Sequence, residues 1–266
     1  MSCACSEAGS WRDASHAFEE LRRRAVCSSC WNPGVSECDA TARHPRRLAA
    51  WLAFVLALAL LSYGARLADT ETPDDLAYRY SSSVAALIQY GLMLGILLLI
   101  ARGLSWREVF ALRRPPRWGR AIGLAVLALV AIYAAALVYE QALSLFGDFD
   151  PTEEQGLVPD GWDSSRAGAF IAFFVVVTFI APTVEELTYR GLGLSLLLPY
   201  GTVLAVVATG ALFGLAHGLL IGLPILAVFG IVVGWLRVRT NSIYPPVALH
   251  AAFNGIALIA SVSGAA

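Results

Sequence analysis

Six polar side chains stand out in an otherwise apolar C-terminal half. Glu185, Glu186 and Arg190 close one apolar run, His217 lies in the next, and His250 with Asn254 lies in the last. Ionisable groups are costly in hydrocarbon, so each is a candidate for function. Glu186 and Arg190 are four residues apart; on a helix they share a face and can pair. Glu185 points about 100° away and is left able to take a proton or hold a water. Phe213 with His217, and His250 with Asn254, share faces in the same way. Two imidazoles and a carboxylate (His217, His250 and Glu185) can hold a Zn2+ ion with one open position. The same three can instead activate a water without metal, Glu185 acting as general base and the imidazoles positioning the water. Either route sends an activated water to a carbonyl, with Asn254 or Arg190 near the charge that develops.

Each motif also has a plainer reading. Glu186–Arg190 alone is an interfacial salt bridge at a helix end, His217 an interhelical hydrogen-bond partner, and Asn254 an amide that bonds helices together. The Glu-Glu-x-x-x-Arg pattern recurs at Glu19-Glu20-Leu-Arg-Arg-Arg24, in a charged polar segment where it is a solvated charge run. It is the three motifs in order, each in an apolar run, that carry information.

The elements that must position these groups are membrane spans. The chain has 266 residues, 58% apolar and 15% charged, with a net charge of −1; its mean hydropathy is +0.65. Soluble domains are near half apolar and a quarter charged, so a soluble globular fold is excluded, and the charge gives no support for nucleic-acid binding. A span needs roughly 20 mostly apolar residues. The reading is an all-α, polytopic transmembrane helix bundle of seven spans: about Leu48–Leu67, Val84–Ala101, Trp118–Leu145, Ala167–Leu187, Thr202–Leu219, Leu223–Arg237 and Val247–Val262. The apolar piece Leu192–Leu198 offers a short or re-entrant eighth element. Pro182 removes a backbone bond and is expected to kink the fourth span just before the Glu pair. Gly214 and Gly218 are expected to admit a close neighbouring helix. His217 is placed toward the middle of its span, and Glu185 and His250 near the cytoplasmic ends of theirs.

All 19 basic residues are Arg. Sixteen fall on one side if the spans alternate, against Arg66, Arg79 and Arg166 on the other. The positive-inside rule makes the Arg-rich side and the N-terminus cytoplasmic. In a prokaryote the membrane would be the plasma membrane. Residues 1–47 form a separate polar, Arg-rich segment that carries all five Cys. Cys27, Cys30, Cys38 and His44 supply a Cys3His set for a structural zinc; the alternative is a disordered tail.

Val-Glu-Glu-Leu-Thr-Tyr-Arg-Gly at 184–191, Leu-Phe-Gly-Leu-Ala-His-Gly at 212–218 and Leu-His-Ala-Ala-Phe-Asn at 249–254 together resemble the CPBP family. These are intramembrane proteases, also called the Abi or type II CAAX prenyl endopeptidase family. The resemblance covers about residues 165–262. It implies a helical membrane bundle with a site open to the cytosol, and a peptide or protein substrate, prenylated in the name-giving reaction. It implies Glu185 as the water-activating carboxylate, Glu186 and Arg190 as its support, His217 and His250 as holders of water or metal, and Asn254 as an oxyanion partner. Tyr189 stands where Phe is common in the family. Against the protease reading stand a non-catalytic binding or immunity-type protein of the same fold and, third, a small transporter. No inverted repeat supports the last. Substrate identity and oligomeric state are not legible.

Overall fold

The computed structural model describes residues 44–68, 75–147, 159 and 161–263. Among them the structure is helical, with no strand. The helices are α1 (Pro45–Leu67), α2 (Tyr80–Ile100), the short α3 (Trp106–Val109), α4 (Trp118–Leu143), α5 (Ser164–Tyr200), α6 (Thr202–Ala216), α7 (Leu223–Thr240) and α8 (Tyr244–Ser263). Six of these (α1, α2, α4, α5, α7 and α8) are long and apolar enough to cross a membrane. The chain is an integral, multi-pass membrane protein. Large apolar side chains such as Leu60, Leu61, Leu137 and Val138 are exposed on the helix surfaces, as lipid requires.

Two expectations change. The fourth span and Leu192–Leu198 are not separate elements: they run as one 37-residue helix, α5. The fifth span ends at Ala216 and has 15 residues, about 22 Å of helix, too short for a bilayer core of about 30 Å. His217 therefore stands at the end of α6, not in its middle. Gly218 follows in a left-handed turn with φ +68°, and as expected both glycines admit a close neighbour: a Cβ on Gly218 would lie 2.7 Å from Ser62 Cβ on α1, and one on Gly214 2.9 Å from the Ala227 nitrogen on α7.

Lipid tails are as apolar as leucine, so close backbone approach and interhelical hydrogen bonds hold such a bundle together. Gly210 and Gly230 bring α6 and α7 together: a Cβ on Gly210 would lie 2.6 Å from the Ile231 backbone nitrogen. Polar side chains cap exposed carbonyls across the bundle. Ser62 Oγ donates to the Ala216 carbonyl, Tyr63 to Leu219 and Tyr139 to Ile221. The indole of Trp51, fully buried, donates to the Thr188 carbonyl at 3.0 Å.

α5 is not uniformly α-helical. It widens into π-helix at Val176–Ile180 and again at Leu187–Gly193, on either side of the Glu pair. The first widening follows from Pro182. The Ala181 N–H reaches back five residues to the Val176 carbonyl. In that register the Val177 carbonyl should accept from residue 182, and proline has no N–H to give. The kink expected from sequence is thus realised as a π-turn with one carbonyl left open.

Candidate active site

Glu186 is the centre of a buried network. Its Oε1 accepts from Arg190 Nη1 at 2.9 Å and from His250 Nδ1 at 2.9 Å. Glu186 and Arg190 are fully buried, and Arg190 Nη2 also donates to the Gly230 carbonyl at 3.0 Å. The guanidinium lies over the Phe213 ring, 4.6 Å from its centre. A charge this deep survives only when paired and hydrogen-bonded, and the i,i+4 spacing supplies the pair. A carboxylate at Nδ1 fixes the proton there, so the Nε2 of His250 is left as an acceptor.

That Nε2 lies 3.7 Å from Glu185 Oε2. Glu185 does not share the Arg190 bond; its other oxygen, Oε1, accepts from the Tyr90 hydroxyl at 2.7 Å. Tyr90 comes from α2, and sequence reasoning missed it. The signal was available as a Gln-Tyr pair inside an apolar span, but a survey confined to ionisable groups near the motifs passes over a neutral phenol.

His217 follows α6, with Nδ1 bonded to the Phe213 carbonyl at 2.8 Å. A carbonyl can only accept, so this tautomer also leaves Nε2 as an acceptor. Phe213 packs against both imidazoles, with ring centres 4.6 Å from His217 and 5.7 Å from His250. In Phe-x-x-x-His the phenylalanine is thus a shared wall for His217, His250 and Arg190. Asn254 Nδ2 donates to the Val177 carbonyl at 3.0 Å, filling the acceptor that Pro182 leaves open.

Glu185, His217, His250, Asn254 and Tyr90 line one cavity of about 350 Å3. Its other walls are largely apolar and aromatic, including Met93, Phe229 and Phe253. Glu186 and Arg190 lie behind the wall and hold it. The sequence-predicted set therefore converges, divided into groups that face the cavity and groups that brace them.

Zinc at Glu185, His217 and His250 stays one of the two expectations for this site. Among the described residues, no group of three or more His, Cys, Asp or Glu is arranged to hold a metal ion. The Nδ1 atoms of both imidazoles are bonded to protein acceptors, which leaves each Nε2 able to accept a hydrogen or bind a metal. No step below is routed through zinc. Of the second proposed set, Cys27, Cys30 and Cys38 lie outside the described residues; His44 stands at the start of α1.

Residues 167–256 match the family model described as type II CAAX prenyl endopeptidase Rce1-like. Over this segment the chain is similar to that family. The match covers roughly a third of the chain, from the first turn of α5 to two residues past Asn254, and contains Glu185, Glu186, Arg190, His217, His250 and Asn254. Tyr90 lies outside the matched residues, on α2. No curated protein and no solved structure matches the chain.

Proposed function

We propose that the protein is an intramembrane endopeptidase that hydrolyses a peptide bond with a water activated by Glu185. The observation that carries this reading is the opposition of Glu185 and His250 across 3.7 Å at the cavity wall, each held by a different partner. Two acceptors at that spacing lie within hydrogen-bond reach of one water. Glu185 takes the water's proton as the oxygen attacks the substrate carbonyl, and returns it to the leaving amine. His250 Nε2 accepts the water's second hydrogen and sets its direction. His217 offers a second acceptor on the same cavity. Asn254 spends one amide hydrogen on Val177 and keeps another for the developing oxyanion. The Rce1-like match supports a peptide or protein substrate, and the apolar, aromatic walls suit a hydrophobic segment or a prenyl chain. We read the site as metal-free because, among the described residues, no three His, Cys, Asp or Glu side chains are grouped to hold an ion.

The test is cleavage of a farnesylated peptide and its unprenylated twin by purified protein in proteoliposomes, with products read by mass spectrometry. A new amino terminus is expected from the wild type, unchanged by a zinc chelator and absent from His250→Ala. Wild-type cleavage by both His250→Ala and His217→Ala would remove the protease reading. Loss of activity on chelation, restored by Zn2+, would replace the metal-free mechanism with a metal one.

A further inference from the structure

We infer that the corner of the bundle where α7 ends and α8 begins binds a phosphate-type oxyanion, the headgroup of an anionic lipid, with Arg237 as its buried anchor. Neither Arg237 nor Arg113 beside it lines the cavity. The inference does not rest on the protease reading.

Arg237 stands in the last turn of α7 and is only 3% exposed. Its Nε is enclosed with no hydrogen-bond partner, and no carboxylate of a described residue pairs with its guanidinium. Arg190 shows what a guanidinium buried as deeply requires: it has Glu186 and the Gly230 carbonyl. The charged side chains that act on Arg237 are Arg113, which repels it, and Glu108. Glu108 is already committed, its Oε2 accepting from Arg113 Nη1 at 2.8 Å. The carbonyls that end α7 attract Arg237 as a helix dipole does, an effect of about half a charge. The rest of the charge has no partner within the described protein. A planar guanidinium fork matches the paired oxygens of a phosphate.

The surroundings hold this charge in a fixed frame. Arg113 Nε and Nη2 donate to the Asn241 carbonyl and to Asn241 Oδ1, each at 3.0 Å. The Ile243 N–H donates to the Ala111 carbonyl at 3.1 Å. These bonds lay the segment after α3 against the turn between α7 and α8. An arginine has five N–H groups, and Arg113 spends only three on the protein, so it too can donate to an oxyanion. Arg107, Arg114, Arg117 and Arg239 are exposed on the same segments, and such a cluster draws anions to a membrane surface. Two observations favour a lipid over a free anion. Arg237 belongs to a membrane-spanning helix and lies within a turn of its end, the depth of headgroups. Trp106, Leu112 and Tyr244, on the flanking segments, are 50%, 37% and 42% exposed. Aromatic side chains suit that interface and can lie against the glycerol and upper acyl chain of a lipid whose headgroup sits on Arg237.

The test is a thermal melt of the full chain in a zwitterionic detergent, titrated with phosphatidylglycerol, phosphatidylcholine or inorganic phosphate. Phosphatidylglycerol should raise the melting temperature of the wild type saturably, as a ligand of the folded state does, and phosphatidylcholine should not. Arg237→Leu and Arg237→Gln should bind phosphatidylglycerol at least about tenfold more weakly, the loss of a charge-assisted bond. Two substitutions are used so that the failure of one to fold leaves the other. Arg239→Gln removes an exposed arginine stacked on Trp235 and should bind as the wild type does. Wild-type binding by the Arg237 variants, or an equal loss in Arg239→Gln, overturns the site. So does a wild type that responds to neither phosphatidylglycerol nor phosphate, or that responds equally to phosphatidylcholine. Stabilisation by inorganic phosphate alone, lost in the Arg237 variants, overturns the lipid and leaves a free oxyanion as the ligand. None of these readouts needs cleavage, so a failed peptidase assay beside the expected binding would sink the protease reading alone.

Discussion

Adjacent glutamates 185 and 186 differ only in what surrounds them, and that difference divides the labour. Glu186 is locked between Arg190 and His250. Replacing it with Gln leaves the Arg190 guanidinium buried without its counter-charge, a loss of about 3–5 kcal/mol for breaking such a pair. Glu186→Gln should therefore unfold several degrees earlier in a detergent melt, while Glu185→Gln melts close to wild type. Equal melts for the two variants would contradict this division. Tyr90→Phe removes one hydrogen bond to the Glu185 carboxylate, worth about 1.5–3 kcal/mol for a charged acceptor. Cleavage should fall about ten- to a hundredfold, measured as initial rate against a fluorogenic peptide, with a smaller drop in melting temperature than Glu186→Gln. At this scale the sequence was informative about pairs within a helix. The 186–190 and 213–217 spacings foretold contacts that the structure shows, because i,i+4 geometry is local. The bonds between helices, Tyr90 to Glu185 and His250 to Glu186, depend on how α2 and α8 approach α5, and no local pattern encodes that.

At the scale of elements, the decisive feature is the π-turn before Pro182. A periodicity of 3.6 residues predicts an ordinary helix with a kink; the structure instead opens a turn and offers the Val177 carbonyl to Asn254. Pro182→Ala restores an N–H that competes for that carbonyl. The cost of Asn254→Ala, read as melting temperature in a double-mutant cycle, should then be smaller in the Pro182→Ala background than in the wild type. Strictly additive costs would show that the two residues act independently. A second element-level device pins the start of α5. Arg166 bonds Asp163 and Asp75, and Asp75 also holds Arg79. Hydrogen bonding from Ser165, then Arg166, lowers the Asp163 carboxyl to about 2, and Asp75 is likewise lowered, first by Arg79. Both folded values are depressed. Their contribution is therefore complete above the unfolded carboxylate range near 4 and is lost as pH falls toward 2. Amide exchange at residues 163–166 should quicken over that window and stay flat from pH 5 to 8. Span positions were legible from hydropathy to a few residues. The unbroken length of α5 was not, because the polar Glu-Glu-x-x-x-Arg segment reads as a helix end, whereas in the fold its charges are neutralised internally.

The whole molecule is a lipid-embedded bundle whose motifs, over sixty residues apart at their extremes, meet at one cavity. The composition made the membrane class plain, and the ordered motifs pointed to the family whose model matches residues 167–256. The central claim is that Glu185 activates the attacking water. It is tested most directly by the single-turnover cleavage rate of Glu185→Gln in proteoliposomes, beside wild type at matched thermal stability. The account predicts a loss of at least about a hundredfold, the low end for a general base. A rate within twofold of wild type would contradict it.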